Sequence, residues 1–365
     1  MMLKHLSLVN FKNYPEADFQ FDELITCFVG PNGSGKTNVL DAIHYLSLCK
    51  SCLNPIDSQN ILHNQDFFVV QGKFDRDEIE KVFCGVKNKQ KKQFKNNGKE
   101  YKRLADHIGK VPLVMVSPYD TNLISEGSED RRKFMDSVIC QVNSEYLNHL
   151  IAYNKVLLQR NAMLKSVKPN QSLDRDMVAV FNQQLHGHGM VIHKWRTSFV
   201  EEFIPVFLSF YQNLSGGKEE VGVNYDSKLN EHPLDYLLDE SLERDRILQR
   251  TNVGIHKDDL KFTIGGNPVK KFGSQGQQKT FLIALKLAEY EFLKEAKGFN
   301  PLLLLDDIFD KLDEHRVKRL MTLVSDETFG QIFVTDTSKT RVEEIFSTID
   351  VKIKCFEVEN GEVKS

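Results

Sequence analysis

Gly30-Pro31-Asn32-Gly33-Ser34-Gly35-Lys36-Thr37 fits the pattern G-x-x-x-x-G-K-[ST] at every fixed position. Both flanks suit it. Leu24, Ile25, Cys27, Phe28 and Val29 form an apolar run of strand length on one side. On the other, Val39, Ile43 and Leu46 recur at helical spacing, with no Gly or Pro until well past Leu48. A strand, a glycine turn and a helix N-terminus make an anion site, because backbone N–H groups point at phosphates and the helix dipole favours negative charge. The pattern expects Lys36 to reach β- and γ-phosphates and the Thr37 hydroxyl to ligate Mg²⁺.

A chain of 365 residues can bury a large core, and roughly two domains is the expectation. With 48 basic and 51 acidic residues the net charge is −3, so any nucleic-acid surface must be a local patch. The densest basic run is 87–103, with eight basic side chains, one acidic, and an Asn97-Gly98 hairpin signal. Two readings stand side by side: a hairpin gripping phosphates with Phe94 and Tyr101 available to stack, or a solvated edge whose lysines block aggregation. Six cysteines without regular spacing read as reduced and cytoplasmic. Cys49-x-x-Cys52 has no second pair beside it and reads as two small apolar residues. No secretory h-region and no run of membrane-spanning length is present, so no membrane is expected.

Leu3 to Phe11 reads as a strand, and 17–22 alternates as a second, with Asn13-Tyr14-Pro15 as the turn between them. Strands are expected at Phe67–Phe74, Ile79–Val86 and Val111–Val116, the last followed by Ser117-Pro118-Tyr119-Asp120. From Ser128, the expected N-cap, to about Ser215 the pattern is helical. Phe134, Val138, Val142, Leu147, Leu150 and Leu157 lie near one face. Lys168-Pro169-Asn170 breaks the run, and Met177, Phe181, Leu185, His188, Ile192, Trp195, Phe199 and Phe203 form a second stripe. These two helices read as an antiparallel arm. His186, His188 and His193 have no carboxylate at ligand spacing and read as ordinary helix residues.

Leu214-Ser215-Gly216-Gly217 matches the start of the signature motif of ABC-type ATPases letter for letter, yet it closes a helix instead of opening one. Ser274-Gln275-Gly276-Gln277-Gln278-Lys279-Thr280 precedes a helix and is the better candidate, with Ser274, Gly276 and Gln277 as its nucleotide-facing residues. Leu302-Leu303-Leu304-Leu305-Asp306-Asp307 reads as a buried parallel strand ending in two carboxylates, a Walker B. Asp306 is expected in the Mg²⁺ shell, and Asp307 is expected to orient or deprotonate the attacking water. Leu312-Asp313 stands at the D-loop position. Asp336 follows a further buried strand, where many ABC ATPases carry a histidine.

About 270 residues separate Lys36 from Asp306, more than in a transporter's nucleotide-binding domain and without the long heptad arms of SMC-type ATPases. Taken in order, the motifs resemble the RecF family of bacterial recombination mediators over essentially the whole chain. Besides the ATPase motifs, the resemblance rests on Asn10-Phe11-Lys12-Asn13-Tyr14, Tyr45-Leu46-Ser47-Leu48, Ser117-Pro118, Arg131-Arg132-Lys133-Phe134-Met135-Asp136, Gln159-Arg160-Asn161 and Gly254-Ile255-His256-Lys257-Asp258-Asp259-Leu260. RecF-like sequences usually carry Arg where Lys12 and Lys257 stand and Pro where Ile255 stands. Charge is kept at the first two, but the planar fork is not.

The resemblance implies an α/β fold: an ABC-type ATPase lobe, a mixed sheet plus helices, from residues 1–120 and 250–365, with a mainly helical arm lobe at 121–249. It implies ATP and Mg²⁺ as cofactors, weak ATPase activity, and an ATP-driven homodimer in which Ser274 of one subunit faces the loop of the other. It also implies binding to duplex DNA near single-strand gaps, and help to RecR and RecO in loading RecA over single-strand-binding protein. The rival readings are a membrane-transport ATPase subunit, which needs the motif at Ser215 to be the true signature, and an ATP-gated scaffold without turnover.

Overall fold

The computed structural model describes the chain except residues 168–172, 218, 310–313, 326–327, 350 and 365. The expected break at Lys168-Pro169-Asn170 and the D-loop position Leu312-Asp313 lie outside the described residues. Strands β1 (Met2–Phe11), β2 (Tyr14–Gln20) and β3 (Ile25–Val29) lead into helix α1 (Lys36–Leu48). Then come β4 (Phe67–Asp75), β5 (Ile79–Lys87), β6 (Gln93–Asn96), β7 (Lys99–Glu100) and β8 (Leu113–Val116). A helical stretch follows: α2 (Asn122–Ser125), α3 (Ser128–Val142), α4 (Ser144–Ser166) and α5 (Arg175–Ser215). Next are β9 (Val221–Asp226), α6 (Leu234–Glu240), α7 (Leu242–Leu248), β10 (Asp259–Ile264), β11 (Asn267–Pro268), α8 (Val269–Phe272) and α9 (Gln275–Lys297). The chain closes with β12 (Leu302–Leu305), α10 (Glu314–Val324), β13 (Ile332–Asp336), α11 (Lys339–Ser347), β14 (Ile353–Glu359) and β15 (Glu362–Lys364).

Two compact units result, Met1–Asp120 with Lys279–Ser365, and Thr121–Gln278. The first holds two six-stranded sheets. One, β2-β1-β4-β5-β6-β7, is antiparallel throughout. The other runs β15-β14-β3-β13-β12-β8 and is parallel except for β15. β3, β12 and β13 are buried at every position, as parallel strands covered on both faces must be. One apolar core joins the two sheets and α1, with Phe19, Phe21, Phe28, Phe333 and Phe356 packed edge-to-face and stacked at its centre. The buried Gln331 amide accepts from the Leu3 N–H at 2.6 Å and donates to the Leu3 carbonyl at 2.9 Å, tying the first strand to the entry of β13.

Tyr14 and Pro15 belong to β2 and not to the turn, which is made by Lys12 and Asn13. Tyr14 is buried opposite Phe11, and Pro15 is tolerated because β2 is an edge strand. The 87–103 run does form a two-residue hairpin, with Asn97 and Gly98 both at positive φ. Phe94, however, is buried and packs on His107, so it cannot stack on a base. Lys92 is turned inward onto Asp57 and the Cys49 carbonyl.

The second unit is organised by α4 and α5, which run antiparallel: Arg160 meets Asn182 and His149 meets His188. Two helices, not one, cover 128–166, because the Asn143 side chain caps a new start at Ser144 by accepting from the Tyr146 N–H. Ser128 is the first helical residue and Gly127 the cap. The inner stripe of α5 is Val178, Leu185, Ile192, Arg196, Phe199 and Phe203. Met177 and Trp195 point outward, because Arg196 takes the inward place to pair with Asp136 and Asp258. Residues 250–278 pack with this unit, so it ends at Gln278 and not near 249: β10 pairs with β9 along its whole length, a ladder that ties the late segment to the helical one. Among the described residues, no helix is long and apolar enough to cross a membrane.

Candidate nucleotide site

Residues 30–37 turn from β3 into α1. The helix starts with no side-chain cap and no acidic residue in its first turn, so the positive end of its dipole is left for an anion. Gly35 sits at φ +117°, and a Cβ there would lie 2.4 Å from Asn13 Nδ2, so no other residue fits. Asn13 is packed this close because it braces the loop. Its Nδ2 donates to the Ser34 carbonyl at 2.8 Å, and its Oδ1 accepts from Asn38 at 2.7 Å. The Tyr14 hydroxyl donates to the Gly35 carbonyl at 3.0 Å. Lys36 Nζ is held by the carbonyls of Gly30 and Pro31 at 2.8 and 2.9 Å. Burial pulls its ammonium below the ordinary lysine value, against Asp307, Asp306 and Asp336.

The two carboxylates arrive from β12. Asp306 Oδ1 accepts from Thr37 Oγ1 at 2.9 Å and from Thr335 Oγ1 at 2.7 Å. Burial raises its pKa, opposed by those two hydrogen bonds. Asp307 sits at φ +50°, and its N–H donates to the same Thr335 hydroxyl at 2.9 Å. Thr335 therefore ties the Asp306 carboxylate to the Asp307 backbone, a role that the motif pattern did not reveal. Asp336 is accounted for structurally. Its buried carboxylate accepts from the Ser338 N–H and from Arg341 at 2.7 Å, which fixes the start of α11.

The residues fit a nucleotide with Mg²⁺. A hydroxyl and a carboxylate oxygen stand side by side as hard donors. The buried Ser34 Oγ in the loop has no hydrogen-bond partner among the described residues. Asp41, His44 and Cys52 also converge, but Asp41 is already paired with Lys12 and bonded to Ser51 and Cys52.

Ser274, Gly276 and Gln277 fall in the second unit, at the N-terminus of α9. Ser274 N–H donates to Gln277 Oε1 at 2.7 Å and Gln277 N–H to Ser274 Oγ at 3.3 Å, a reciprocal capping box that leaves Ser274 exposed. Ser215 instead ends α5, with Gly216 left-handed at the cap and the serine oxygen buried.

The family described as RecF/RecN/SMC N-terminal domain matches residues 2–364. A protein of Phocaeicola vulgatus, DNA replication and repair protein RecF, is 52% identical over 366 residues, covering 100% of this chain and 98% of its own length. The RecF of Flavobacterium johnsoniae is 52% identical over 357 residues, covering 98% and 99%. The chain belongs to the RecF family. A solved structure of the recombination mediator protein RecF-ATPrS in the RecFOR pathway superposes with a TM-score of 0.90 at 31% identity, covering 100% of this chain and 97% of that one. An Smc head domain from Pyrococcus furiosus, at 18% identity and a TM-score of 0.57 over 99% of this chain and 95% of that one, shares the fold.

Three of the segments that carry the RecF resemblance, 131–136, 159–161 and 254–260, meet inside the second unit. Arg131 forms a two-pronged pair with Asp259 at 2.7 and 3.0 Å, and Arg132 donates to the Asp258 carbonyl at 2.6 Å. The fully buried Arg160 bonds Asp245, Thr251 and Asn182, while Asn161 accepts from the Thr251 N–H. Tyr153 meets His256 at 2.9 Å, and burial lowers the His256 pKa to about 4. These residues are scaffold, and of the basic trio 131–133 only Lys133 is well exposed.

Proposed function

We propose that this RecF-family chain is an ATP-driven DNA-binding switch of recombinational repair, with weak ATPase activity, working in the cytoplasm. The observation that carries the reading is Thr37 Oγ1 lying 2.9 Å from Asp306 Oδ1, a pair brought together beside Lys36 across most of the chain. Lys36 would bind the β- and γ-phosphates, with Asn32, Gly33 and Gly35 presenting backbone N–H groups, while Gly30, Pro31 and Ser34 shape the loop: Pro31 has no N–H, and those of Gly30 and Ser34 donate to the Asp336 and Pro31 carbonyls. Thr37 and Asp306 would hold Mg²⁺, which when bound supplies positive charge at the phosphate oxygens. Asp307 would orient the attacking water and accept its proton. Ser274, Gly276 and Gln277 would meet the nucleotide of a second copy, so that ATP binding makes a homodimer and hydrolysis releases it. The first unit is then the ATPase lobe and the second the arm.

RecF relatives are described as DNA replication and repair proteins, and the RecFOR pathway of the solved RecF supports RecR and RecO as partners; the loading of RecA would follow from their joint action. The DNA ligand would be duplex beside a single-strand gap, and the exposed lysines Lys87, Lys89 and Lys91 offer a compact cationic strip for its phosphates. Gapped-DNA binding by the purified protein, with and without ATP and read together with its dimer fraction, tests the whole reading. ATP should raise both together, and DNA binding that ignores ATP would reject it.

A further inference from the structure

The turn between β14 and β15 returns to the phosphate-binding loop. The Gly361 N–H donates to the Ser34 carbonyl at 3.1 Å, the oxygen that also takes the Asn13 Nδ2 bond at 2.8 Å. Gly361 stands at φ +82°, and a Cβ there would lie 2.2 Å from the Asn13 carbonyl oxygen. Further back on the hairpin, the Val358 carbonyl oxygen would lie 2.1 Å from a Cβ on Gly30. Just before these points β14 pairs with β3, Phe356 beside Phe28 and Glu357 beside Val29. The hairpin thus touches the loop at its first glycine and near its last.

A trans peptide unit is planar, with its C=O and N–H pointing opposite ways. Two donors behind the loop fix the Ser34 carbonyl, so the Gly35 N–H is aimed out of the loop's front. The Tyr14 hydroxyl on the Gly35 carbonyl aims the Lys36 N–H in the same manner. These are amides that an anion at the helix start would use.

We propose that the C-terminal hairpin is a clasp that aims the Gly35 amide, so that docking of the hairpin and nucleotide binding at the loop are thermodynamically linked. The proposal rests on reading the loop as the ATP site. Asn13 and Gly361 act as positioning residues. Linkage is reciprocal: a hairpin that improves ATP binding is itself held more firmly by ATP.

The test uses the full chain and ATPγS. By hydrogen exchange, ATPγS should slow exchange at 30–37 and also at 356–364. By calorimetry, Gly361→Ala and Asn13→Asp should each weaken ATPγS about tenfold, the scale of removing one hydrogen bond at a charged ligand. Asn360→Gly, which keeps the turn's positive φ, should bind as the parent does. Melting temperatures within a few degrees of the parent, about the shift a change of 1 kcal/mol makes, separate positioning from folding. If Gly361→Ala proves unstable, Asn13→Asp and the exchange pattern decide alone. Protection of 30–37 with unchanged exchange at 356–364, or parent affinity in both variants, overturns the clasp while leaving the ATP site standing. No ATPγS binding by the parent protein removes both.

Discussion

Replacing Thr335 with valine keeps shape and volume and deletes one hydroxyl. That hydroxyl is buried, donates to Asp306 at 2.7 Å and accepts from the Asp307 N–H at 2.9 Å. Losing a hydrogen bond to a charged group costs about 1.5–3 kcal/mol, and leaving a buried N–H without a partner about 1–3 more. Thr335→Val should therefore lower stability by about 2.5–6 kcal/mol in urea unfolding. Asp306 also loses one of the two bonds that oppose the rise of its pKa on burial. Its carboxyl should ionise less readily, and the Mg²⁺ needed for half-maximal ATPγS binding should rise, more at pH 6 than at pH 8. A variant within about 0.5 kcal/mol of the parent, with the same Mg²⁺ dependence at both pH values, would refute the assignment of Thr335 as the residue that holds the Asp306 carboxylate and the Asp307 backbone.

Asp307 holds a left-handed backbone that glycine adopts freely. Asp307→Gly should gain about 1 kcal/mol in urea unfolding while ATP hydrolysis, followed by phosphate release, stops; Asp307→Asn should stop hydrolysis without the gain. Folded His107 stays neutral down to about pH 4 because it is buried, whereas the unfolded residue protonates near 6.5. The stability this gives is intact above pH 6.5 and lost as pH falls toward 4, at most about 3 kcal/mol; urea midpoints at pH 7.5, 5.5 and 4.5 check it, and His107→Gln should flatten the trend. Changing Lys87, Lys89 and Lys91 together to alanine should lower the slope of log DNA affinity against log salt by about 0.9 for each phosphate that is no longer neutralised. An unmoved slope would make the hairpin a solvated edge.

Much of the nucleotide site is legible in the sequence because its parts sit at element ends with strong local signatures. A glycine turn between an apolar strand and a helix, and four leucines ending in two aspartates, each specify a place before any packing is known. The proposed signature serine is distinguished from the letter-for-letter match on the same ground: Ser274 opens a helix and Ser215 closes one. What escaped depends on distant parts of the chain. Thr335 reads only as part of an apolar strand, and its reach to Asp306 follows from β13 lying beside β12. Asn13 looks like a turn former, yet it braces a loop twenty-one residues on. The outward turn of Trp195 could not be read from periodicity, because the inward place goes to a charged residue whose partners, Asp136 and Asp258, come from other segments. Phe94 beside seven lysines and an arginine invites a stacking role, but a hairpin one strand from the sheet edge buries alternate residues.

Sedimentation velocity of the parent, Ser274→Arg and Ser215→Arg, each with and without ATP and Mg²⁺, tests the central claim most directly. Ser274 is exposed at the start of α9, where its hydroxyl serves the capping box, so arginine there should leave ATP binding by the monomer intact. The parent should dimerise only with ATP, Ser274→Arg should remain monomeric, and any Ser215→Arg protein that folds should dimerise as the parent does. ATP-driven dimers of Ser274→Arg, together with their disappearance in folded Ser215→Arg, would contradict the account.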